Sequence, residues 1–492
     1  MQPSDRARSK SFVPPAFSSA QANLDKHRVA VLPLKSMSPD SNDEYFADGL
    51  TEELITVLSQ VKGLRVIART SVDRYKGSDR GVKEIGRELR VGSILEGSVR
   101  KSANKIRVTA QLIDVVSEEH IWADKYDRDL DDIFLIQSDI AKHVSNELKI
   151  TLGPAEEQRL DKRETESATA HVAYLKGRTF LHTRTEKGIR DAQEQFELAI
   201  KHDPHYARAY TGLADVYIIL GDHRLAPLSE CREKSRAFVK KALELDPNLP
   251  EAHVSFASTL SDDYRFVEAE KEYKQAIALN PSYALAHHWY CLLLGELGRS
   301  DEGLREALVA EELDPLSRVI GQAAFMWNLA VGKTEEIAKR VERFRESEMD
   351  NPFAVECLVI YHMFRSDYEQ ALEYCGKLQQ LSLDSPVSSP EPYIAYICAV
   401  TGRHKEAIDM VSKLEMNTSG VGSVPFFDIA LAYVGLNDLD GCFKCLERAF
   451  ENHERFFVQF RYFPFLEKAR KDKRFNDLLR RANLPPITST VI

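Results

Sequence analysis

A helix end closing on Asp-Pro or Asn-Pro recurs four times in the middle of the chain, and its spacing limits the fold more than any other feature. The sequence reads AIKHDP at 199–204, ALELDP at 242–247, AIALNP at 276–281 and EELDP at 311–315. The four prolines, Pro204, Pro247, Pro281 and Pro315, stand 43, 34 and 34 residues apart. Two successive 34-residue periods predict stacked helix pairs, none of which can bury its apolar face without a neighbour. The 43 reads as one period with an insertion, expected near 221–234, where Pro227 interrupts the helical pattern.

Antiparallel helices pack closely when small side chains sit at the crossing and large ones fill the adjacent hollows. Ala269, Tyr273 and Ala276 form such a series before Pro281. Ala192, Phe196 and Ala199 repeat it before Pro204, and Gly303, Ala307 and Ala310 before Pro315. A spacing of four then three keeps each series on one helix face. Phe256 and Ala257 supply a large and a small residue in the first helix of 250–281. The series weakens as Ala371, Cys375 and Leu378, then Ala407, Val411 and Leu414, then Cys442, Leu446 and Ala449. Segment 318–352 fits least well, because Pro352 follows Pro315 by 37 residues, and an irregularity is expected there. About eight helix pairs are expected. The pattern resembles the tetratricopeptide repeat. That resemblance implies an all-α superhelix over 171–462 whose first helices line a concave groove for a protein or peptide. The charged stretch 463–492 suits a C-terminal cap and tail.

Residues 27–152 follow a different rhythm. Strands are predicted at Arg28–Leu34, Leu64–Ala68, Ser93–Val99, Lys105–Leu112 and His120–Tyr126. Helices are predicted over Asp43–Val61, Val82–Leu89 and Ile133–Leu152, the first from Phe46, Leu50, Leu54, Ile55 and Leu58 at helical spacing. Ser102-Ala103-Asn104 suits a tight turn. This order predicts one α/β domain with a mixed sheet. Residues 1–26 are expected to be disordered and 153–170 to be a linker. The segments VAVLPL, DEYFADGLTEELIT, LRVIARTSV, EIGREL, ILEGSVRKS, IRVTAQLID and HIWADKYDRDLDDIF, in this order, resemble the TolB-like amino-terminal domain of bacterial signalling proteins. The family resemblance implies tetratricopeptide repeats behind that domain. It also implies a frequent fusion to a class III adenylate or guanylate cyclase, a winged helix or a kinase. Only about 26 residues precede Arg28 here, far below the size of an ordinary domain. The expectation is therefore an accessory, non-catalytic part alone.

Charge and composition narrow the function. Residues 1–150 carry 23 basic and 23 acidic side chains, so the formal net charge of -10 belongs to the rest of the chain. Neither half has the basic excess of a nucleic-acid binder. No apolar run reaches membrane-spanning length, and the N-terminus lacks a signal-peptide core. The seven scattered cysteines suit reduced thiols in the cytoplasm.

No residue cluster makes a catalytic or cofactor site. Cys442 and Cys445 form one CxxC pair within a repeat helix, where Cys442 already fills a small packing slot. His287-His288 and His202 with His205 lack further ligands at metal spacing, and His287 is expected to pack. Asp43, Glu44, Asp48, Glu52 and Glu53 fall in the first turns of a helix, whose positive end explains them. Asp131 or Asp132 is expected to cap the helix at Ile133. The glycines make no phosphate-binding loop. No metal, cofactor or catalytic residue is expected. Counting from the packing slots, Arg208, Asp215, Ser258 and His288 should face the concave groove and meet a ligand. The expected role is a cytoplasmic bacterial scaffold or sensor-accessory protein binding a protein or peptide. The alternative is a regulatory half acting in trans on a separate cyclase or kinase, or beside a transcription regulator. A homodimer through the α/β part is a further expectation.

Overall fold

The computed structural model describes residues 24–38, 44–102, 104–183, 185–223, 225–382, 389–418, 423–454, 461 and 463–487. The expectation for residues 1–23, and part of that for the C-terminal tail, lie outside these. The chain is mostly helical, with a small mixed sheet at its N-terminal end. Strands β1 (Arg28–Val31), β2 (Lys35–Ser36), β3 (Arg65–Val66), β4 (Ser93–Ser102), β5 (Lys105–Asp114) and β6 (His120–Asp129) form one sheet in the order β3-β1-β4-β5-β6, with β2 also paired to β4. The β3-β1-β4 side is parallel, and β4-β5-β6 is an antiparallel meander.

Strand β1 reads as a continuous apolar run because both its faces are covered, and Val29, Ala30 and Val31 are wholly buried. Helix α1 (Glu44–Ser59) and α4 (Ile133–Glu147) pack with this sheet, and Phe46, Leu50, Leu54, Ile136 and Ile140 enter one core. Between β3 and β4 the chain forms α2 (Arg69–Val72) and α3 (Val82–Leu89). Asp132 does not act as the expected side-chain cap of α4. A 3-10 turn over Leu130–Asp132 already bends the backbone there, so Asp132 lacks the extended conformation of a capping residue. The stretch expected as a linker contains α5 (Pro154–Leu160).

Helix pairs follow. They are α6 (Ala168–His182) with α7 (Glu186–His202), α8 (Ala207–Asp222) with α9 (Leu228–Leu245), α10 (Pro250–Asp262) with α11 (Phe266–Leu279), and α12 (Ala284–Glu296) with α13 (Ser300–Leu313). Next come α14 (Arg318–Val331) with α15 (Thr334–Ser347), and α16 (Pro352–Phe364) with α17 (Tyr368–Ser382). The last two are α18 (Glu391–Val400) with α19 (His404–Met416), and α20 (Phe426–Gly435) with α21 (Leu439–Glu451). Every small slot named from the sequence is buried, Ala192, Ala199, Ala269, Ala276, Ala307 and Ala310 completely.

The Asp-Pro and Asn-Pro signatures have a local cause. Asp203, Asp246 and Asn280 each accept the backbone N–H two residues on, at 2.9, 3.1 and 3.1 Å, which turns the chain into the next helix. Two spacings resolve differently from expectation. The long second period makes no separate loop: compared with α10 and α11, α8 is three residues longer, α9 four longer and their connection two longer. Segment 318–352 is a regular pair, because α10, α12, α14 and α16 begin at 250, 284, 318 and 352. Pro352 is the first residue of α16, whereas Pro315 lies in the turn before α14, so the two prolines are not equivalent. Ile337, Val341 and Phe344 supply the buried series of α15.

The C-terminal end is closed by α22 (Glu467–Lys471) and α23 (Lys473–Arg481), which bury Phe475, Leu478 and Leu479. This end also returns to the early repeats. Tyr264, after α10, stacks on Phe450 and His453 at ring-centre distances of 5.1 and 4.9 Å. Arg232 of α9 donates to the carbonyls of Asn452 and His453 at 3.2 and 2.5 Å.

Candidate functional site

The first helices of the first repeats pack against the chain's own α/β part. Helix α1 lies against α6, and the two approach closely because residue 49 is glycine: a Cβ there would stand 2.6 Å from the Leu175 Cβ. One apolar core runs without a break from β1 through α1 and α4 into α6, α7 and α8.

Two acidic residues of α1, Glu52 and Glu53, hold this contact, while Asp48 pairs within the α/β part. Asp48 takes Lys76 at 2.8 Å and Arg69 at 3.6 Å. Glu52 accepts two bonds from Arg178 of α6, at 2.8 and 2.6 Å, and meets His182 at 3.2 Å. Glu53, 1% exposed, pairs with Arg208 of α8. Burial opposes the charge on Glu52, but Arg178 and His182 outweigh it and hold the carboxyl well below the usual carboxylate range. Burial would likewise lower the Arg208 pKa, yet Glu53, Tyr174 and Glu251 raise it well above its ordinary value. The helix-end explanation does not extend to Glu52 and Glu53, which lie beyond the first turn of α1 where that effect acts. Glu52 and Glu53 are buried ion-pair partners between the two halves.

Repeat turns extend the contact to β3. Ser282 donates to the Leu64 carbonyl at 3.0 Å and accepts the Val66 N–H at 3.4 Å, and Ala68 N–H donates to the Leu313 carbonyl at 2.8 Å. Those bonds satisfy groups that an edge strand leaves open. Asp314, the acidic member of the fourth signature, accepts from Ser71 at 2.5 Å, and the backbone N–H two residues on, that of Leu316, donates to the Ser71 hydroxyl at 2.9 Å. Burial raises the Asp314 carboxyl to about 6, against the lowering effect of Ser71.

Three of the four residues expected to meet a ligand in the groove line the remaining space, and each has a distinct setting. Arg208 is committed to Glu53, with Glu251 at 3.7 Å and the Tyr174 ring 5.0 Å away. Asp215 accepts from Ser255 at 2.8 Å and faces Arg178 at 3.4 Å. Ser258 is fully buried in α10 and does not line the cleft, a correction to its expected placement. His288 is 6% exposed on α12, with no hydrogen-bond partner at Nδ1, and burial pulls its pKa down to about 4.

These residues border a cleft of about 1590 Å³ between the α/β part and the first helices of the repeats. Ile218, Ile219, Tyr283, Trp289, Val319 and Phe353 give it apolar and aromatic walls, and Arg74, Arg80, Arg318 and Arg343 stand among its charged lining. Sequence reasoning missed Arg178, Tyr283 and Trp289. Gly49 was a usable signal: a glycine inside a helix costs about 1 kcal/mol relative to alanine, and close packing is a common reason to keep one.

The other histidine and cysteine expectations concern packing. His287 bridges the Glu306 carboxylate at 2.6 Å and the Pro281 carbonyl at 3.1 Å. His253 makes the same bridge one repeat earlier, to Glu272 at 2.5 Å and Pro247 at 2.9 Å. Burial disfavours its charge, but Glu272 and Pro247 raise its pKa. Cys442 and Cys445 are buried free thiols, and burial pushes Cys445 up to about 12. Among the described residues, no three His, Cys, Asp or Glu side chains group at metal-binding distance, and no helix is long and apolar enough to cross a membrane.

No family model matches the chain. It is 35% identical over 246 residues to "Putative adenylate cyclase 3" of Rhizobium meliloti, an alignment covering 50% of this chain and 42% of that protein. It is 21% identical over 354 residues to the transcriptional regulator HilA of Salmonella typhimurium, covering 70% of this chain and 61% of HilA. The chain thus spans less than two thirds of the length of these curated relatives. Among solved structures, that of PilW, a type IV pilus biogenesis factor, aligns with 43% of this chain and 93% of its own at 18% identity and a TM-score of 0.35.

Proposed function

We propose that the chain is a non-catalytic scaffold or sensor-accessory protein of bacterial signalling that holds a protein or peptide through its repeats. In this proposal residues 27–152 are the TolB-like part and 171–462 the interaction solenoid, and the protein works in the cytoplasm without a cofactor or nucleic acid. The cleft is the observation that carries this reading. Its volume of about 1590 Å³ exceeds that of a typical small-molecule pocket. Aromatic and aliphatic side chains line it together with charged ones such as Arg74, Arg80, Arg318 and Arg343, and His288 and Trp289 are part of its wall. Such a lining suits a peptide segment better than a single small substrate. The ligand enters beside the docked α/β part, because Arg208 and Arg178 already serve Glu53 and Glu52.

The test is capture from a bacterial lysate by the full chain, set against the Val319→Asp variant. Val319 is 42% exposed at the cleft, so the change leaves the core alone. A partner held by the original chain and lost from the variant is expected. A partner held equally by both, or nucleotide turnover by the chain, contradicts the proposal.

The 35% identity over half of this chain to a protein named "Putative adenylate cyclase 3" favours a second reading. Here the chain is the regulatory half that acts in trans on a separate adenylate or guanylate cyclase, or on a kinase. Adding the chain to such a purified enzyme should change its rate; an unchanged rate over a wide ratio of the two counts against this reading.

A further inference from the structure

The two edges of the sheet are treated differently. The β3 edge is covered by the repeat turns, through Ser282 and Leu313. At the other edge, β6 pairs with β5 on one side only, and among the described residues no strand pairs with its outer side. Leu130 N–H donates inward to the Asn104 carbonyl at 2.9 Å. Alternation along an antiparallel strand then turns the N–H and C=O groups of Ala123, Lys125, Asp127 and Asp129 outward. Two local contacts agree with this: Lys125 N–H donates to the Asp124 carboxylate at 2.7 Å, and the Asp127 carbonyl accepts from Arg128 at 3.3 Å.

An open edge is normally protected by charges that repel another strand. Here the charges have a different pattern. Residues 124–128 read Asp-Lys-Tyr-Asp-Arg, and Asp124, Lys125, Asp127 and Arg128 are exposed. Laid antiparallel against itself with Tyr126 at the centre, this run sets Asp124 opposite Arg128 of a second copy and Lys125 opposite Asp127 of that copy. A two-fold axis makes each pair twice. The same register brings outward backbone groups face to face, as an antiparallel ladder requires. The adjacent registers that keep this backbone match are centred on Lys125 or on Asp127, and each sets like charges directly opposite.

We propose that β6 is a self-pairing edge, through which two copies of this chain join their sheets into one. Asp127, which already accepts from Arg107 at 2.6 Å and Lys125 at 3.3 Å, exchanges its own Lys125 for that of the second copy. One short strand pair with exposed ion pairs is a small interface, so the dimer is weak and concentration-dependent.

Sedimentation equilibrium of the full chain from micromolar to several hundred micromolar tests this, with melting curves to verify that each variant folds. Asp124→Arg alone and Arg128→Asp alone each place like charges opposite one another. Each should raise the dimer dissociation constant roughly tenfold or more. The double variant should recover dimerisation, because its charges are again complementary. An equimolar mixture of the two single variants should form a heterodimer at the original strength. A chain that stays monomeric throughout, a dimer indifferent to Asp124→Arg, or single variants that fail to associate when mixed would each overturn the proposal.

Discussion

Replacing Arg208 by methionine separates a seated α/β domain from one that merely touches the solenoid. Arg208 is 6% exposed and its partner Glu53 1%, so neither can turn to water while α1 remains on α6 and α8. The variant leaves the Glu53 carboxylate buried without its cation. Breaking one side of such a pair costs about 3–5 kcal/mol. Replacing both residues by methionine removes the stranded charge, and the loss should shrink, giving a coupling of about 2–3 kcal/mol in the double-mutant cycle. Urea unfolding of the full chain gives these values, followed by circular dichroism and by the fluorescence of its three tryptophans. The single variant should lower the midpoint, and the α/β part should separate from the repeats as an earlier transition. A loss below about 1 kcal/mol for Arg208→Met would refute the reasoning, since solvated surface changes cost that little.

Two further outcomes follow from buried side chains. Ala276→Glu puts a carboxylate at the fully buried crossing of α10 and α11 and should cost several kcal/mol in a thermal or urea melt; an unchanged melt contradicts the packing. His288 is neutral when folded, its pKa lowered from 6.5 to about 4 by burial. The stability it supports is complete above pH 6.5 and is lost as pH falls toward 4, by about 3 kcal/mol. His288→Gln should flatten that part of the stability–pH curve; an unchanged slope removes His288 as its source.

The helix pairs were legible because their determinants are local. A small residue at a crossing recurs every three to four positions, and the Asp-Pro turn bonds to its own backbone, so both leave a pattern in a short window. Pro352 misled because proline fits both the turn before a helix and its first position. The inserted residues near Pro227 were visible, but their lengthening of α8 and α9 depends on what those helices pack against. The groove was legible only as a surface. Arg208 and Asp215 were found by counting from packing slots, whereas their partners lie far away in sequence: Glu53 stands 155 positions before Arg208. Ion pairs at that separation impose no periodicity. Glu52 and Glu53 were assigned to a rule about helix ends that acts only in the first turn, and that assignment concealed their use as ion-pair partners. Ser258 shows the limit of slot counting, since a small side chain on the groove-facing helix can be buried by its neighbours.

The most direct test of the docked arrangement is the stability of the full chain carrying Gly49→Ala. In an uncovered helix this change is stabilising by about 0.5–1 kcal/mol, because alanine is the better helix former. With α1 seated on α6, the new methyl meets the Leu175 Cβ at 2.6 Å, an atom fixed to the backbone of α6 that cannot swing away. Docking therefore predicts a loss of about 1–3 kcal/mol, partly restored by adding Leu175→Ala. A gain in stability from Gly49→Ala would mean that α1 does not lie against α6.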